Sequence, residues 1–229
     1  MSALDYAGRS EARATDLKTL PDVARTFFSE SAPRVILAGT AIVVVARSFV
    51  GSFGLVDLAT VGLSVLLIGF IEWVIHVYWL HAPQDSYRMQ RMKTGVSHRQ
   101  HHVDPDSVGF LLLTAPDATG YMVVLLAWHA TWPLLFAWVV GAPLLATYLT
   151  ALATTYFLVG YYEWVHLLIH TSYRPKTSYF KRVASHHRLH HYRNEQYWMG
   201  VTSRLGDHTL GTAPAKSDVP LSETARTLS

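Results

Sequence analysis

The sequence predicts an all-α integral membrane protein with four transmembrane helices in two hairpins. Four long apolar runs predict the spans, at residues 35–53, 58–79, 118–140 and 144–169. Each run approaches or exceeds the roughly 20 residues that a helix needs to cross a bilayer. Only 15% of the residues are charged, against about 25% in ordinary soluble domains. The chain has no cysteine, which excludes a disulfide framework, thiolate-held clusters and a cysteine nucleophile.

Basic residues predict the orientation of the spans. Short turn sequences, Gly-Ser-Phe-Gly at 51–54 and Gly-Ala-Pro at 141–143, close the two hairpins and contain no Lys or Arg. Eighteen of the 19 Lys and Arg residues lie in 1–34, 81–117 or 171–229. The positive-inside rule therefore places both termini on the cytoplasmic side. We interpret the excess of basic residues as a consequence of this membrane topology, and we therefore expect no nucleic-acid partner.

The remaining basic residue, Arg47, lies inside the first predicted span. A charge at membrane depth is costly, so either Arg47 snorkels to the interface or the first hairpin is shallow and re-entrant.

We divide the chain into three segments: a cytosolic N-terminal segment (1–34), a membrane-embedded domain (35–212) and a disordered polar tail (213–229). Within the first, residues 16–31 predict a helix with one apolar side, formed by Leu17, Leu20, Val23, Phe27 and Phe28. This helix either lies on the membrane surface or is solvated.

Histidine is unusually frequent, and eleven of the 13 histidines form four clusters. The clusters are His76 with His81; His98, His101 and His102; His166 with His170; and His186, His187, His190 and His191. They lie at the cytoplasmic ends of the second and fourth spans and in the basic segments that follow, so all four can converge at one membrane surface. Converging imidazoles are stable when neutral, the form that binds metal ions.

The spacing within the clusters indicates which rings share a face. Positions i and i+4, as in His166 and His170, lie on one side of a helix. His76 and His81 are five residues apart and diverge by about 140° on an ideal helix. They therefore ligate from a distorted helix end or serve different ions. His186 has no counterpart in the second cluster, which leaves ten candidate ligands. Ten ligands exceed the needs of one ion, so the sequence predicts a dinuclear, imidazole-rich site, compatible with zinc, copper, nickel or iron.

Several further residues are candidates to support the ligands. The tripeptide Glu-Trp-Val precedes the histidines in both halves, starting at Glu72 and at Glu163. Buried carboxylates often orient the distal nitrogen of a ligating histidine. We add His186, Asp104, Asn194 and Glu195, which adjoin the second and fourth clusters, as support or substrate contacts. We expect His129 to be a packed polar residue and His208 to lie on the surface.

The four clusters resemble the fatty acid hydroxylase / sterol desaturase superfamily of integral-membrane di-iron oxygenases. The resemblance covers residues 58–212 and rests on the segments 72–81, 98–105, 163–170 and 187–212. The His-x4-His opening is most similar to the fatty acid 2-hydroxylase branch and is also similar to the carotenoid hydroxylases.

The resemblance implies a cytosolic, histidine-rich helical cap and two iron ions, which zinc can replace in a purified sample. The implied ligands are His76, His81, His98, His101, His102, His166, His170, His187, His190 and His191. The implied activity is that of an oxidoreductase: oxygen-dependent hydroxylation or desaturation of a C–H bond in a lipid such as a fatty acyl chain or sterol. A carotenoid hydroxylase is an alternative within the superfamily.

Electrons for this chemistry must come from another molecule. The terminal segments are too short for a fused cytochrome domain, so we expect a separate ferredoxin- or cytochrome-type donor. A basic surface could dock an acidic donor, or it could contact lipid headgroups. Its residues are Arg88, Arg91, Lys93, Arg174, Lys176, Lys181 and Arg182.

Two functions of other classes remain as alternatives. A membrane metal or proton transporter would use the histidines as a relay, although relay sites normally lie at membrane depth. A bis-histidine haem electron carrier would leave the two His-x-x-His-His clusters unexplained.

Overall fold

The computed structural model describes residues 9–83, 85, 86 and 93–228. Within this part of the chain the regular elements are helical, apart from one isolated β-bridge between Arg13 and Ser107. The helices are α1 (Leu20–Ser29), α2 (Ser31–Ser48), α3 (Leu55–Ile75), α4 (Lys93–Val103), α5 (Val108–Leu111), α6 (Ala115–His129), α7 (Trp132–Val140), α8 (Leu144–His170), α9 (Ser178–Tyr192) and α10 (Leu205–Leu210).

Four candidate membrane spans confirm the predicted architecture. They comprise residues 31–48, 55–80, 108–140 and 144–170. The third is interrupted between α5 and α6 and again between α6 and α7. Pro133 lies in the first turn of α7, where it has no N–H to donate to the preceding turn and its ring excludes the carbonyl four residues earlier, so α6 cannot continue through it. Gly141 closes the second hairpin with φ of +69°, a conformation that glycine adopts without steric cost.

Arg47 is buried and its charge is paired. Its side chain is 3% exposed and lies 2.7 Å from Asp57 across the first hairpin. Arg47 Nε also donates to the Thr150 hydroxyl on α8, which in turn donates to Asp57 Oδ1 over 2.6 Å. The charge is therefore compensated inside the bundle, and the network ties the first hairpin to the fourth span.

Helix α1 buries part of its apolar side against the protein and leaves the rest exposed. Val23 and Phe27 are buried with Leu167 and Leu168 of α8, and the Phe27 ring meets Trp164 edge-on at 5.3 Å. Leu20 and Phe28 stay exposed. A capping box between Thr19 and Asp22 fixes the start of the helix.

The segment that we predicted to be a disordered tail is ordered from 213 to 228. Val219 and Ala225 are buried, and Arg193 exchanges hydrogen bonds with Val219 and Ser222. The prediction was wrong because polar composition conceals a small number of buried side chains and many backbone hydrogen bonds.

The cap consists of α4, α9, α10 and the loops around them, at the ends of the spans opposite the two hairpin turns. Close contact between the cap and α3 requires glycine at position 206, where a Cβ atom would lie 2.5 Å from the Cβ of Trp73. This contact brings the loop before α10 against the histidines at the end of the second span.

Candidate metal centre

The ten histidines predicted as ligands lie together in two groups of five. In each group, one ring nitrogen from every histidine lies within 4.8 Å of the others. The first group is His76, His81, His98, His102 and His190. The second group is His101, His166, His170, His187 and His191. The clustering of imidazoles from both halves of the chain is therefore a property of the fold.

A π-helical turn brings the rings of His76 and His81, five residues apart, to the same side of the helix end. Residues His76–Leu80 continue α3 with a wider turn, and the amide of His81 donates to the carbonyl of His76 over 2.9 Å. In a π-helical turn the backbone hydrogen bond joins residues five positions apart, instead of four as in an α-helix. Both rings therefore reach the same group, as the distorted-end alternative requires.

Two of the cap helices, α4 and α9, each contribute histidines to both groups. In α4, His98 and His102 belong to the first group, whereas His101 belongs to the second. In α9 the division is reversed, because His187 and His191 belong to the second group and His190 to the first. The His102 and His191 ring centroids lie 4.2 Å apart across the boundary, so the two groups are neighbours.

Spacing between the Nε2 atoms fits a common ion. His76 and His81 lie 3.1 and 3.2 Å from His98 in the first group. In the second group, His187 lies 3.0 Å from both His170 and His191. Two nitrogens bound at right angles about 2.0–2.1 Å from one ion would be about 2.9 Å apart.

Backbone carbonyls determine the tautomer of four of the rings. Nδ1 faces the carbonyl of Met199 in His76, of Ala225 in His102, of Leu111 in His166 and of Tyr197 in His190. A carbonyl only accepts, so each Nδ1 carries the proton and each Nε2 presents a lone pair. The Nε2 atoms of His102, His166 and His190 are buried without a hydrogen-bond partner. Inward-facing lone pairs this close together can be satisfied by a shared cation.

The cap histidines are held neutral. Burial lowers the pKa of His98, His101 and His187 well below its ordinary value, and repulsion from neighbouring imidazoles adds to this. Burial also lowers the pKa of His102, to about 3. These four cap histidines are therefore uncharged at neutral pH, the form that binds transition metals.

Comparison with known proteins agrees with this geometry. The family model described as fatty acid hydroxylase matches residues 61–212. The chain belongs to the fatty acid hydroxylase family. The matched region contains all ten grouped histidines and ends before the ordered segment 213–228.

Two relatives illustrate the similarity of this family member to named proteins. The dihydroceramide fatty acyl 2-hydroxylase FAH2 of Arabidopsis thaliana is 32% identical over 157 residues, covering 67% of this chain and 60% of the plant protein. The fatty acid 2-hydroxylase of Homo sapiens is 27% identical over 154 residues, covering 66% of this chain and 38% of the human protein. The chain thus spans between about two fifths and three fifths of these relatives.

A solved structure shares the fold of this fatty acid hydroxylase family member. The structure of full-length scs7p, in which only the hydroxylase domain is visible, matches with a TM-score of 0.65 and 23% identity. The match covers 85% of this chain and 70% of that one.

The two glutamates of the repeated Glu-Trp-Val support the histidines indirectly. Glu163 accepts from the backbone amide of Leu113 over 2.8 Å, two residues after the carbonyl that holds His166. Glu72 accepts from Thr202 and Ser203, just after the Met199 carbonyl that holds His76. In both halves, therefore, the carboxylate fixes a backbone segment, and a carbonyl of that segment orients the ring. We predicted that these carboxylates contact the distal ring nitrogen of a histidine, and that prediction was wrong.

Asp207 is a supporting residue that the sequence analysis missed. Its fully buried carboxylate accepts from the amides of Met199 and Gly200, both at 2.8 Å, and from the Thr212 hydroxyl at 2.6 Å. Asp207 thereby fixes the loop that orients His76. A lone Asp in a polar stretch gives no local signal, because its partners are backbone amides that only the fold brings near.

The other four support candidates contact groups outside the two histidine groups. Asp104 pairs with Arg13 at 2.7 Å and so anchors the N-terminal segment. His186 Nδ1 lies 3.8 Å from Asp207. Asn194 and Glu195 bind the ordered tail through Pro220 and Thr224.

The two remaining histidines lie where we predicted. His129 is buried within the bundle, where its ring nitrogens meet the Leu125 carbonyl and the Thr155 hydroxyl. His208 is exposed. Neither belongs to the groups of five.

An apolar cavity reaches both groups from the membrane-spanning region. Its lining combines aliphatic side chains of α3, α6 and α8, including Ile71, Leu125 and Leu158, with His98 of the first group and His166 of the second. A hydrocarbon chain in this cavity would contact residues of both groups.

A second, polar cavity adjoins the second group. Its lining includes His170, His187 and His191, together with Arg174 and Arg188. The two cavities share no lining residue, so the second group is approached both from the apolar region and from a cationic surface.

Proposed function

We propose that this chain is the membrane-embedded catalytic domain of an oxygen-dependent, di-iron lipid hydroxylase. The observation that supports this function is the arrangement of ten inward-facing imidazoles in two adjacent groups, with an apolar cavity against both. Family membership favours iron, since imidazole alone also suits zinc, copper and nickel. When bound, the ions would supply the oxygen and redox chemistry that protein side chains lack.

The protein's own contribution is ligation, orientation and exclusion of water. His76, His81, His98, His102 and His190 would hold one ion, and His101, His166, His170, His187 and His191 the other. The carbonyls of Met199, Leu111, Tyr197 and Ala225 keep the protons on Nδ1, so that Nε2 stays free to ligate. The apolar lining keeps the reacting carbon away from bulk water.

A fatty acyl chain is the substrate that the cavity fits best. The accessible surface of its lining is mostly apolar, and the plant and human relatives are named as fatty acyl or fatty acid 2-hydroxylases. These names favour hydroxylation over desaturation and an acyl chain over a sterol or carotenoid. A haem carrier fits poorly, because five nitrogens within 4.8 Å leave no space for a flat macrocycle.

We further propose that the cap faces the cytoplasm and that a separate ferredoxin- or cytochrome-type protein delivers electrons there. Nine of the 19 Lys and Arg residues lie in α4, in α9 or in the adjoining loops 171–177 and 193–204. Arg174 and Arg188 are exposed beside the polar cavity, which reaches three histidines of the second group. Lys176, Lys181 and Arg182 are exposed nearby in the sequence. Arg88, Arg91 and the side chain of Lys93 lie outside the described residues.

Oxygen-isotope labelling tests the function directly. The protein, purified in detergent with ferrous iron, a reducing system and a fatty acyl substrate, should transfer one atom of labelled dioxygen into a hydroxylated product seen by mass spectrometry. His98→Ala and His166→Ala, one from each group, should abolish the product. His208→Ala changes an exposed histidine outside both groups and should leave turnover intact.

Other outcomes would redirect or refute the proposal. Hydroxylated carotenoid in place of hydroxylated acyl chain would assign the alternative substrate of the superfamily. A strong Soret band would indicate haem, and metal-dependent ion flux without product would indicate a transporter. Full activity in both group variants would refute the metal centre itself.

A further inference from the structure

The ordered segment 219–227, here called the strap, connects the two cap helices that carry the His-x-x-His-His clusters. On one side, Ser222 donates to the Arg193 carbonyl over 2.7 Å, and Thr224 donates to Glu195 over 2.6 Å. Val219 and Ala225 are buried. The strap lies beyond residues 61–212, the part that matches the family model.

On its other side the strap contacts a proposed ligand, His102. The Ala225 carbonyl lies 2.8 Å from His102 Nδ1. The next residue, Arg226, donates to the carbonyls of His102 and Val103, both over 2.9 Å. The ring and the backbone of His102 are thus both held by consecutive strap residues, and His102 belongs to the first group.

We propose that the strap is a positioning element that orients His102 and sets the metal affinity of the first group alone. This inference rests on the proposed dinuclear centre. The physical basis is that the Ala225 carbonyl fixes the proton on Nδ1 and the ring plane, and Arg226 fixes the helix end that carries the ring. Loss of such a partner of a ligand typically costs 10–100-fold in metal affinity.

Titration of the metal-free protein with Co²⁺ provides the test, because histidine-bound Co²⁺ has visible ligand-field bands. The variants are Arg226→Ala and the double variant Arg226→Ala with Thr224→Val, which removes a side-chain anchor on each side of the strap. Glu223→Ala, at an exposed strap position, is the matched control. We expect one of two sites to weaken by about tenfold or more, while the other is unchanged.

The direction of the change separates positioning from charge. Removing a cation near the site would by itself tighten the binding of a metal cation, so weaker binding reports lost orientation. Arg226→Lys keeps the charge but has one donor nitrogen where arginine uses two, and its affinity should lie between those of Arg226→Ala and the unaltered protein.

Two results would overturn the proposal: two unchanged sites in both variants, or parallel weakening of both sites, which would indicate a general loss of structure. If the double variant does not fold, Arg226→Ala with Arg226→Lys is judged by the same criteria. If the unaltered protein binds no Co²⁺, the dinuclear centre and the strap's role fail together. If it binds two ions and hydroxylates lipid while the variants titrate normally, only the strap's role fails.

Discussion

The Nδ1 atom of His76 lies 2.5 Å from the carbonyl oxygen of Met199, a residue 123 positions later in the chain. The Met199 amide is in turn held by Asp207. A membrane-spanning helix and a loop of the cap are therefore coupled through one histidine ring. The orientation of this ring depends on a carboxylate that does not contact it.

Asp207→Ala should weaken the metal affinity of the first group by about 10–100-fold, because it frees the Met199–Gly200 loop. Asp207→Asn keeps one acceptor oxygen and should have a smaller effect. Metal bound per chain after dialysis, measured by mass spectrometry, checks this. Asp218→Asn is the control at an exposed position, and equal metal retention in all three variants would contradict the expected coupling.

Removing one histidine from either group should leave the metal ion of the other group bound. His81→Ala should reduce bound metal from two ions per chain to about one, and His170→Ala should do the same, because each removes a nitrogen from a different group. The double variant should retain none. Metal analysis with His208→Ala as the control measures this, and loss of both ions from either single variant would contradict two separable sites.

The buried network at the first hairpin should show strong energetic coupling. Arg47→Met leaves Asp57 without its partner and should cost about 3–5 kcal/mol in the free energy of unfolding, because an unpaired buried charge remains. Asp57→Leu should be similarly destabilising. The double variant should lose less than the sum, as a double-mutant cycle in detergent would measure. Strict additivity would show that the pair is not coupled.

Filling the apolar cavity should alter substrate choice without altering metal content. Leu158→Trp adds bulk to a lining position and should raise KM for long acyl chains or shorten the preferred chain. Leu135→Trp, at a position that is 60% exposed, provides the control. Product profiles over a series of chain lengths, together with metal analysis, measure the effect. Identical profiles in both variants would place the acyl chain elsewhere.

The contacts of Asp106 with Arg13 and Thr15, which hold the N-terminal segment, should make stability depend on pH. Burial raises the pKa of Asp106, but hydrogen bonds from the Thr15 amide and hydroxyl, and from Arg13, outweigh it and lower the pKa below 3.8. A carboxylate with a depressed pKa stabilises the fold above its unfolded value and loses this contribution as pH falls through the folded value.

At neutral pH, Asp106→Asn should therefore lower stability by about 1 kcal/mol, the scale of a partly exposed pair. The difference from the unaltered protein should shrink below pH 3.8, where the native carboxyl also becomes protonated. Thermal unfolding at several pH values measures this. A difference that is constant with pH would assign the effect to packing rather than charge.

The sequence alone determined the four spans, because about 20 consecutive apolar residues have few alternatives to a membrane helix. It also determined the ten grouped histidines, because their repeated spacing recurs in both halves of the chain. Tertiary structure decided which ring belongs to which group. His101 and His102 are adjacent in sequence yet belong to different groups, since only the packing of α4 against α8 and α9 sets where each ring points.

Tertiary structure also decided what supports the rings. The supports are backbone carbonyls of Met199, Leu111, Tyr197 and Ala225, and every residue has a carbonyl, so no residue type marks these positions. For the same reason the order of segment 213–228 was hidden, because its anchors are mostly main-chain groups. Residue type thus specifies ligands and membrane helices, whereas the orientation of the ligands depends on contacts between segments that are distant in the chain.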